Sequence, residues 1–548
     1  MVTEHTERGE APAAGPQAPP APVTGRAATV LPLGHRWGRY DLLWRFLAAV
    51  GSGLAQLFAL PPYGLWWLGP LSAALLLVAV AGTRMRRAAW LGALAGATLM
   101  VPLVQWQDVF GVDVWLLIAA AETVYYLPMA MGIALAARLP GWPVWTAALW
   151  VAQEAVRARW PLGGFPWGKL AFAQPDTPFA GYAALGSSAL VTFAVALTGG
   201  LVLWAVLGVA SRGVRPGLPA AALALAAAAA VVLCGTLAPA VGRPPAGETV
   251  TLGMVQGNVP NVGEMSIAGE REQVLRNHAE GVHELAARAR EENIELDLVL
   301  LPENATDIDP FRDPAAREII DEAAADVGVP ALWGMSRFND DGTRHVTSVV
   351  WDPETGPGQM YDKRFLVPFG EYIPYRDFFT RFVQRLEQVS SDAIPGTEPG
   401  ALEIGGTTLA VGICFDVAFD APVRESVAAG GGIIVIPTNN ANYNFTGQSD
   451  QQLAITRLRA VEHGRPAVVV STSGISAVVN PDGTVAYRSP EAEADIHITE
   501  LTAAAGPTVA TRLGAGPEAL LAAVGLAAVA AAVIVSRRGR SVPGPTTG

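Results

Sequence analysis

Three residues in the second half of the chain could do chemistry together. Val299-Leu300-Leu301-Pro302 runs into Glu303, Met360-Tyr361-Asp362 leads to Lys363, and Val411-Gly412-Ile413 ends in Cys414. Each follows an apolar, strand-like run, and reactive groups of open α/β sheets collect at the carboxyl ends of strands. A carboxylate, an amine and a thiol brought to one place form a working set for acyl chemistry. The carboxylate serves as general base, the ammonium stabilises an oxyanion, and the thiolate attacks a carbonyl. Each also has a plainer reading: a small buried hydrophobe for Cys414, a cap for Glu303, a solvated side chain for Lys363. The coincidence of three strand ends, each beside a Pro-, Gly- or aromatic-rich loop, favours the catalytic reading.

The elements that must position them lie between residues 245 and 512. Strands are predicted at 249–258, 296–304, 331–336, 345–351, 408–416, 432–439 and 467–473, from short Val/Ile/Leu-rich runs bounded by turn residues. Helices are predicted near 269–291, 314–326, 421–429 and 449–463. Strands alternating with helices over this length make one α/β domain.

The rest of the chain is of a different kind. Of 548 residues, 51% are hydrophobic and only 16% charged, too apolar for a wholly soluble protein. Membrane helices are predicted near 42–60, 65–82, 88–106, 114–137, 142–158, 180–209, 217–240 and 515–535, about eight in all. The fifth carries Gln153, Glu154 and Arg157, which suits an interfacial or cavity-lining helix because polar groups facing lipid are costly. Tryptophans at segment edges (Trp66, Trp67, Trp106, Trp115, Trp142, Trp145) fit an interfacial belt, with core packing as the alternative for any one of them.

Arg36, Arg39, Arg84, Arg86, Arg87, Arg138, Arg212, Arg215, Arg537, Arg538 and Arg540 fall on one side if the helices alternate. The positive-inside rule then puts both termini in the cytoplasm and the α/β domain on the outer face of the cell membrane. Arg159 and Lys169 are exceptions on the outer side, there to serve anionic headgroups or simply tolerated. The expected divisions are a disordered cytoplasmic tail (1–38), a transmembrane domain of about seven helices (39–244), a catalytic domain (245–512), and a last transmembrane helix with a basic tail (513–548). The formal charge of −12 includes no basic, aromatic-interleaved patch for nucleic acid. No Cys/His cluster suggests a metal, and the chemistry calls for no cofactor. Cys234 and Cys414 lie in unlike surroundings, so no disulfide is expected.

The order Glu…Lys…Cys matches the nitrilase (carbon–nitrogen hydrolase) superfamily, and more specifically the chain resembles the apolipoprotein N-acyltransferases. The likeness covers nearly everything after about residue 40. It rests on V-Q-G-N-V-P (255–260), L-P-E-N-A-T (301–306), K-R-F-L-V-P-F-G-E-Y-I-P (363–374), C-F-D (414–416), R-L-R-A-V-E-H-G-R-P (457–466) and, in the membrane half, G-F-P-W (164–167). The resemblance implies a membrane helical bundle carrying an extracytoplasmic α-β-β-α sandwich. It makes Glu303 the base, Lys363 the oxyanion stabiliser and Cys414 the nucleophile. Glu371 would orient Lys363 or Cys414, the Phe415 N–H would be a second oxyanion donor, and Asp416 would support them. Trp167, Tyr443 and Phe445 are candidates for gripping lipid, while Arg457, Glu462 and Arg465 brace the domain.

The implied reaction moves a fatty acyl group from a phospholipid donor, through a Cys thioester, to the α-amino group of a diacylglyceryl apolipoprotein. Membrane lipids are the surroundings and a monomer is the default. The rivals are a membrane-tethered amidase and a non-catalytic scaffold. This chain departs from the family pattern at Phe415-Asp416, where Tyr-Glu is usual, and at Asn440-Ala441-Asn442-Tyr443-Asn444-Phe445, where the family has Asn-Asp-Ala-Trp-Phe. It has Gln451 and Gln452 where relatives place a His, and Met265 where a Trp is often found.

Overall fold

A computed structural model describes residues 40–210, 217–260, 270–306, 308–381, 386 and 389–538. The expected tail at 1–38, Arg212, Arg215, Met265 and Arg540 lie outside these residues.

Helices occupy all eight apolar segments. They are α1 (Asp41–Ala59), α2 (Leu68–Val80), α3 (Met85–Leu103), the pair α4 (Val112–Val124) and α5 (Tyr126–Ala136), α6 (Trp142–Arg157), α7 (Ala183–Ala210), α8 (Gly217–Leu237) and, after the α/β domain, α15 (Gly516–Arg538). Five of the described helical runs are long and apolar enough by themselves to cross a membrane: 41–59, 112–136, 178–209, 218–240 and 516–538. The helices α2, α3 and α6 do not reach that standard alone and pack among the others. Neither Trp106 nor Trp142 belongs to an interfacial belt, since both are buried, whereas Trp66 and Trp67 are exposed.

Between α8 and α15 lie two six-stranded sheets. The first has the order β12-β1-β2-β3-β4-β5, and the second β11-β10-β9-β8-β7-β6. The strands are β1 (Ala246–Gln256), β2 (Leu298–Leu300), β3 (Ala331–Phe338), β4 (Arg344–Asp352), β5 (Gly356–Asp362), β6 (Ala401–Ile404), β7 (Thr407–Val411), β8 (Ile433–Thr438), β9 (Ala467–Ser471), β10 (Ala477–Val479), β11 (Val485–Arg488) and β12 (Asp495–Ala504). The central strands β1, β2, β3 and β7, β8, β9 run parallel; the flanking ones are antiparallel. The helices are α9 (Glu270–Glu292), α10 (Pro314–Val327), α11 (Arg376–Phe379), α12 (Asp420–Ala428), α13 (Gly447–His463) and α14 (Val509–Leu513).

Strand periodicity builds the layers. In β8, Ile433 and Val435 join Leu252, Leu300, Leu332 and Val411 in the core between the sheets, while Ile434 and Ile436 face the opposite way, with Leu453 and Leu458 of α13. Buried on both faces, such strands read as unbroken apolar runs. On the far side α9 and α10 cover the first sheet through Leu275, Val282, Leu285 and Ile320. The result is helices, two sheets and helices in layers. The α13 layer shares one continuous apolar core with the membrane helices, reaching Leu60, Trp167 and Phe172, so the catalytic half rests directly on the bundle.

Candidate active site

Glu303 stands three residues past β2, Lys363 just past β5 and Cys414 three residues past β7. All three side chains are buried. The Lys363 ammonium donates to Glu303 Oε1 at 2.8 Å and to Glu371 Oε1 at 2.7 Å. The Val367 N–H fixes Glu371 by donating to Oε2 at 2.7 Å. The Asn439 N–H, one residue past β8, donates to Glu303 Oε2 at 2.9 Å. One ammonium therefore sits between two carboxylates, each aimed by a main-chain donor.

The backbone is shaped for this. Cys414 has φ +49°, a left-handed conformation that costs energy in a side-chain-bearing residue and turns the chain sharply at the strand end. Beneath Glu303, Gly334 lets two segments approach: a Cβ there would lie 2.1 Å from the Pro302 carbonyl oxygen.

Electrostatics follow from the burial. Loss of water pushes the Cys414 thiol well up, and the Glu303 carboxylate pushes the same way; Lys363 and the Asn439 N–H oppose them. Burial raises Glu303 as well, tempered by Lys363 and reinforced by Glu371. For Lys363, burial alone would favour the neutral amine, yet Glu303 and Glu371 hold it well above its ordinary value. The thiol is therefore held protonated and Lys363 cationic, with the Glu303 carboxyl bonded to that cation.

Asp416, fully buried, braces the turn. It accepts from the Tyr361 hydroxyl at 2.8 Å, the Phe365 N–H at 2.8 Å and the Ile413 N–H at 3.0 Å. Strand β5, the segment after Lys363 and the Cys414 turn thus meet on one carboxylate. Its short reach suffices because Tyr361, on β5 of the other sheet, comes to it. Tyr361→Phe is expected to cost about 1.5–3 kcal/mol, the usual loss for a buried hydrogen bond to a charged group, as measured by denaturant unfolding of the detergent-solubilised protein.

The membrane half supplies a wall. Phe165 and Trp167 lie 5.6 and 6.2 Å from the Phe415 ring, and Trp106 lies 5.4 Å from Trp167 and 5.1 Å from Tyr443. Trp167 Nε1 donates to Gln451 Oε1 at 2.6 Å, and Gln451 Nε2 donates to the Pro61 carbonyl at 3.3 Å. Tyr443 is close enough to feel Cys414, Glu371, Lys363 and Glu303, while burial and the Cys414 thiolate push its hydroxyl up. Phe445 is 76% exposed and has no ring partner among the described residues, so it stands apart from this wall.

The polar residues of α6 are not lipid-facing. Arg157 donates to the carbonyls of Phe165 and Trp167 and pairs with Glu122 at 3.1 Å. Glu154 accepts from the Leu170 N–H at 2.8 Å and from Thr192 at 2.7 Å. These groups hold the 163–170 segment in place. Gly164 is indispensable there: at φ +88° a Cβ would lie 2.2 Å from the Ala158 carbonyl carbon.

Neither exception to the loop-charge pattern is a free cation. Lys169 is buried and bonds Ser188 at 3.1 Å and Asp420 at 3.4 Å, and Arg159 pairs with Glu518. Arg457 bonds Asp176 of the membrane half and the Gly483 carbonyl. Arg465 bonds the main-chain carbonyls of Gly431, His463 and Gly506, and Glu462 pairs with Arg459. All three brace the domain, as expected. No group of three metal-ligating side chains occurs among the described residues.

Sequence reasoning did not find Asn439, because any residue can supply a main-chain N–H. It also passed over the Tyr361 hydroxyl, although the residue lies two places before Lys363.

Residues 52–201 match the apolipoprotein N-acyltransferase N-terminal domain, and residues 251–508 match the carbon-nitrogen hydrolase family. The apolipoprotein N-acyltransferase of Mycolicibacterium smegmatis is 34% identical, with 96% of this chain and 91% of that protein covered. The one from Chromobacterium violaceum is 31% identical, with 81% and 85% covered. The one from Gloeobacter violaceus is 32% identical, with 80% and 84% covered.

Proposed function

The chain belongs to the apolipoprotein N-acyltransferase family, and from that premise we propose that Cys414 carries a fatty acyl group from a membrane phospholipid to the α-amino group of a lipoprotein's N-terminal diacylglyceryl-cysteine. The observation that carries the reading is the cluster itself. A cation held between two carboxylates lies beside a buried thiol, under a wall that the membrane half contributes through the segment after α6.

In the first half-reaction Cys414 Sγ attacks the ester carbonyl of the donor as Glu303 takes the thiol proton. The raised thiol makes a positioned base necessary at the moment of attack. Lys363 and the Phe415 N–H stabilise the oxyanion, worth on the order of 10²–10³ in rate per donor. Collapse expels the lysophospholipid, which takes up the proton held by Glu303. In the second half-reaction the acceptor amine attacks the thioester, Glu303 removes its proton, and the thiol is regenerated. Glu371 acts through Lys363 by holding the ammonium in line, and Asp416 acts through the Cys414 turn.

Trp167 and Tyr443 form the rim where acyl chains enter from the bundle; Phe445, exposed nearby in sequence, meets lipid at the surface. Among the described arginines, Arg84 and Arg138 lie in the connections before α3 and α6 and Arg86 and Arg87 in the first turn of α3, at one end of the bundle if the helices alternate, with Arg537 and Arg538 closing α15. The positive-inside rule supports a cytoplasmic location for that end and an extracytoplasmic one for the catalytic half. One chain supplies every group of the cluster, so a monomer suffices. No metal or cofactor enters any step.

The test supplies full-length protein in detergent micelles with a phospholipid labelled in its acyl chain and a short diacylglyceryl-cysteine peptide. Label in an amide on the peptide amine, with lysophospholipid released in equal amount, is the expected result. Ammonia release from simple amides without transfer to the peptide would make it a tethered amidase instead.

A further inference from the structure

A cavity with charged residues in its walls lies where the end of α6 and the start of α15 meet the start of α12 and the break in α7 at Gly186 and Ser187, whose backbone leaves the helical conformation. It has a volume of about 290 Å³ and is lined by Arg159, Lys169, Ser187, Asp420, Arg424 and Glu518, with Phe365 and Phe419 on one wall. Its three cations face two carboxylates. Glu518 is taken by Arg159, and Asp420 is shared between Lys169 at 3.4 Å and the buried Arg459 at 2.6 Å. Arg424 also acts on Asp420 but pairs closely with neither carboxylate. Its side chain is 16% exposed, and its nearest carboxylate among the described residues, Glu425, stands 3.8 Å away and is itself bonded by Arg364 at 2.7 Å. Its pair with Glu425 is long and shared, so its donors are open to a further anion.

Position says what supplies it. The cavity sits where Arg159 ends one membrane helix and Glu518 begins another, the level at which phospholipid headgroups lie. Exposed Val156 and Trp160 continue from α6, and exposed Leu520 from α15, giving acyl chains an apolar surface beside the opening. The volume is at the low end for small-molecule sites, enough for a headgroup but not for a whole lipid. An arginine fork matches two phosphate oxygens.

We propose that this cavity binds the phosphate of an anionic phospholipid headgroup, with Arg424 as the principal ligand and Lys169 and Arg159 at its sides. The bound lipid bridges α6, α12 and α15 and so ties the last membrane helix to the catalytic half.

The experiment uses full-length Cys414→Ala protein, so that no lipid is consumed, with and without Arg424→Gln. Native mass spectrometry counts retained dioctanoyl phosphatidylglycerol, dioctanoylglycerol serves as the phosphate-free probe, and inorganic phosphate as the free anion. The expected result is one fewer phosphatidylglycerol retained by Arg424→Gln, at least ~10-fold weaker binding, as fits a lost charge-assisted hydrogen bond. The melting temperature should rise with phosphatidylglycerol in the parent but much less in Arg424→Gln, while the lipid-free values agree. Equal phosphatidylglycerol retention by the two proteins would overturn the proposal. Equal retention of dioctanoylglycerol would show that phosphate is not read. Displacement by inorganic phosphate at matched concentration would make this a site for free anions, which also overturns it.

Discussion

Cys414→Ala is expected to abolish both acyl uptake and transfer, a loss on the order of 10⁶ in kcat, as when the nucleophile of another acyl-transfer site is removed. The side chain ends in a thiol whose only assigned work is to form and release the thioester. Its turn is held by Asp416 through the Ile413 and Phe365 N–H groups and the Tyr361 hydroxyl, none of which involves sulfur. The variant should therefore fold and keep binding lipid. Turnover of labelled phospholipid, read beside the unfolding curve, separates the two. Lost turnover with native stability is the expected pair.

Glu303→Gln has the second largest expected effect, a fall of about 10²–10⁴ in the rate of acyl-enzyme formation. Glutamine keeps the shape and one acceptor oxygen, enough for either Lys363 or the Asn439 N–H but not both, so the base is lost together with one of these two bonds, and the unfolding curve is read beside the rate. The same residue sets the acid limb of the pH profile. Burial raises its pKa above the usual glutamate value of about 4, and the basic form is the active one. The rate should rise as pH increases through that raised value, so the acid limb lies above the ordinary glutamate range. Single-turnover acylation across pH tests this. A limb at about 4, or one unchanged in Glu303→Gln, would assign the proton to another group.

Much of this was legible in the sequence for a physical reason. The central strands are buried on both faces, so their apolar runs stand out, and Glu303 and Cys414 each break such a run where the chain leaves the sheet; Lys363 follows the partly exposed edge strand β5 and is marked instead by the Pro-, Gly- and aromatic-rich loop after it. The flanking strands were harder. In β12, Asp495-Ile-His-Ile-Thr-Glu-Leu-Thr-Ala-Ala504 is half exposed and mixed in polarity, so it carries no comparable signal. Strands β6, β10 and β11 are three or four residues long.

Pairings between distant residues were not legible at all. Glu122 and Arg157 are 35 positions apart, and only the folded bundle brings them together to hold the 163–170 segment. The same holds for Asp416 and Tyr361, 55 positions apart, whose bond explains how an aspartate serves where the family has glutamate. Trp106 ends an apolar segment, a position that suits either the membrane boundary or core packing. Its burial against Trp167 and Tyr443 decides for packing and makes it part of the wall beside Cys414.

The central claim is that Cys414 bears the acyl group. The most direct measurement is the intact mass of purified protein incubated with a single defined phospholipid and no acceptor. The account predicts an added mass of one acyl chain, located on the peptide containing Cys414, removed by neutral hydroxylamine or by the acceptor peptide, and absent from Cys414→Ala. An acyl group found on another residue, or transfer to the peptide that persists in Cys414→Ala, would contradict it.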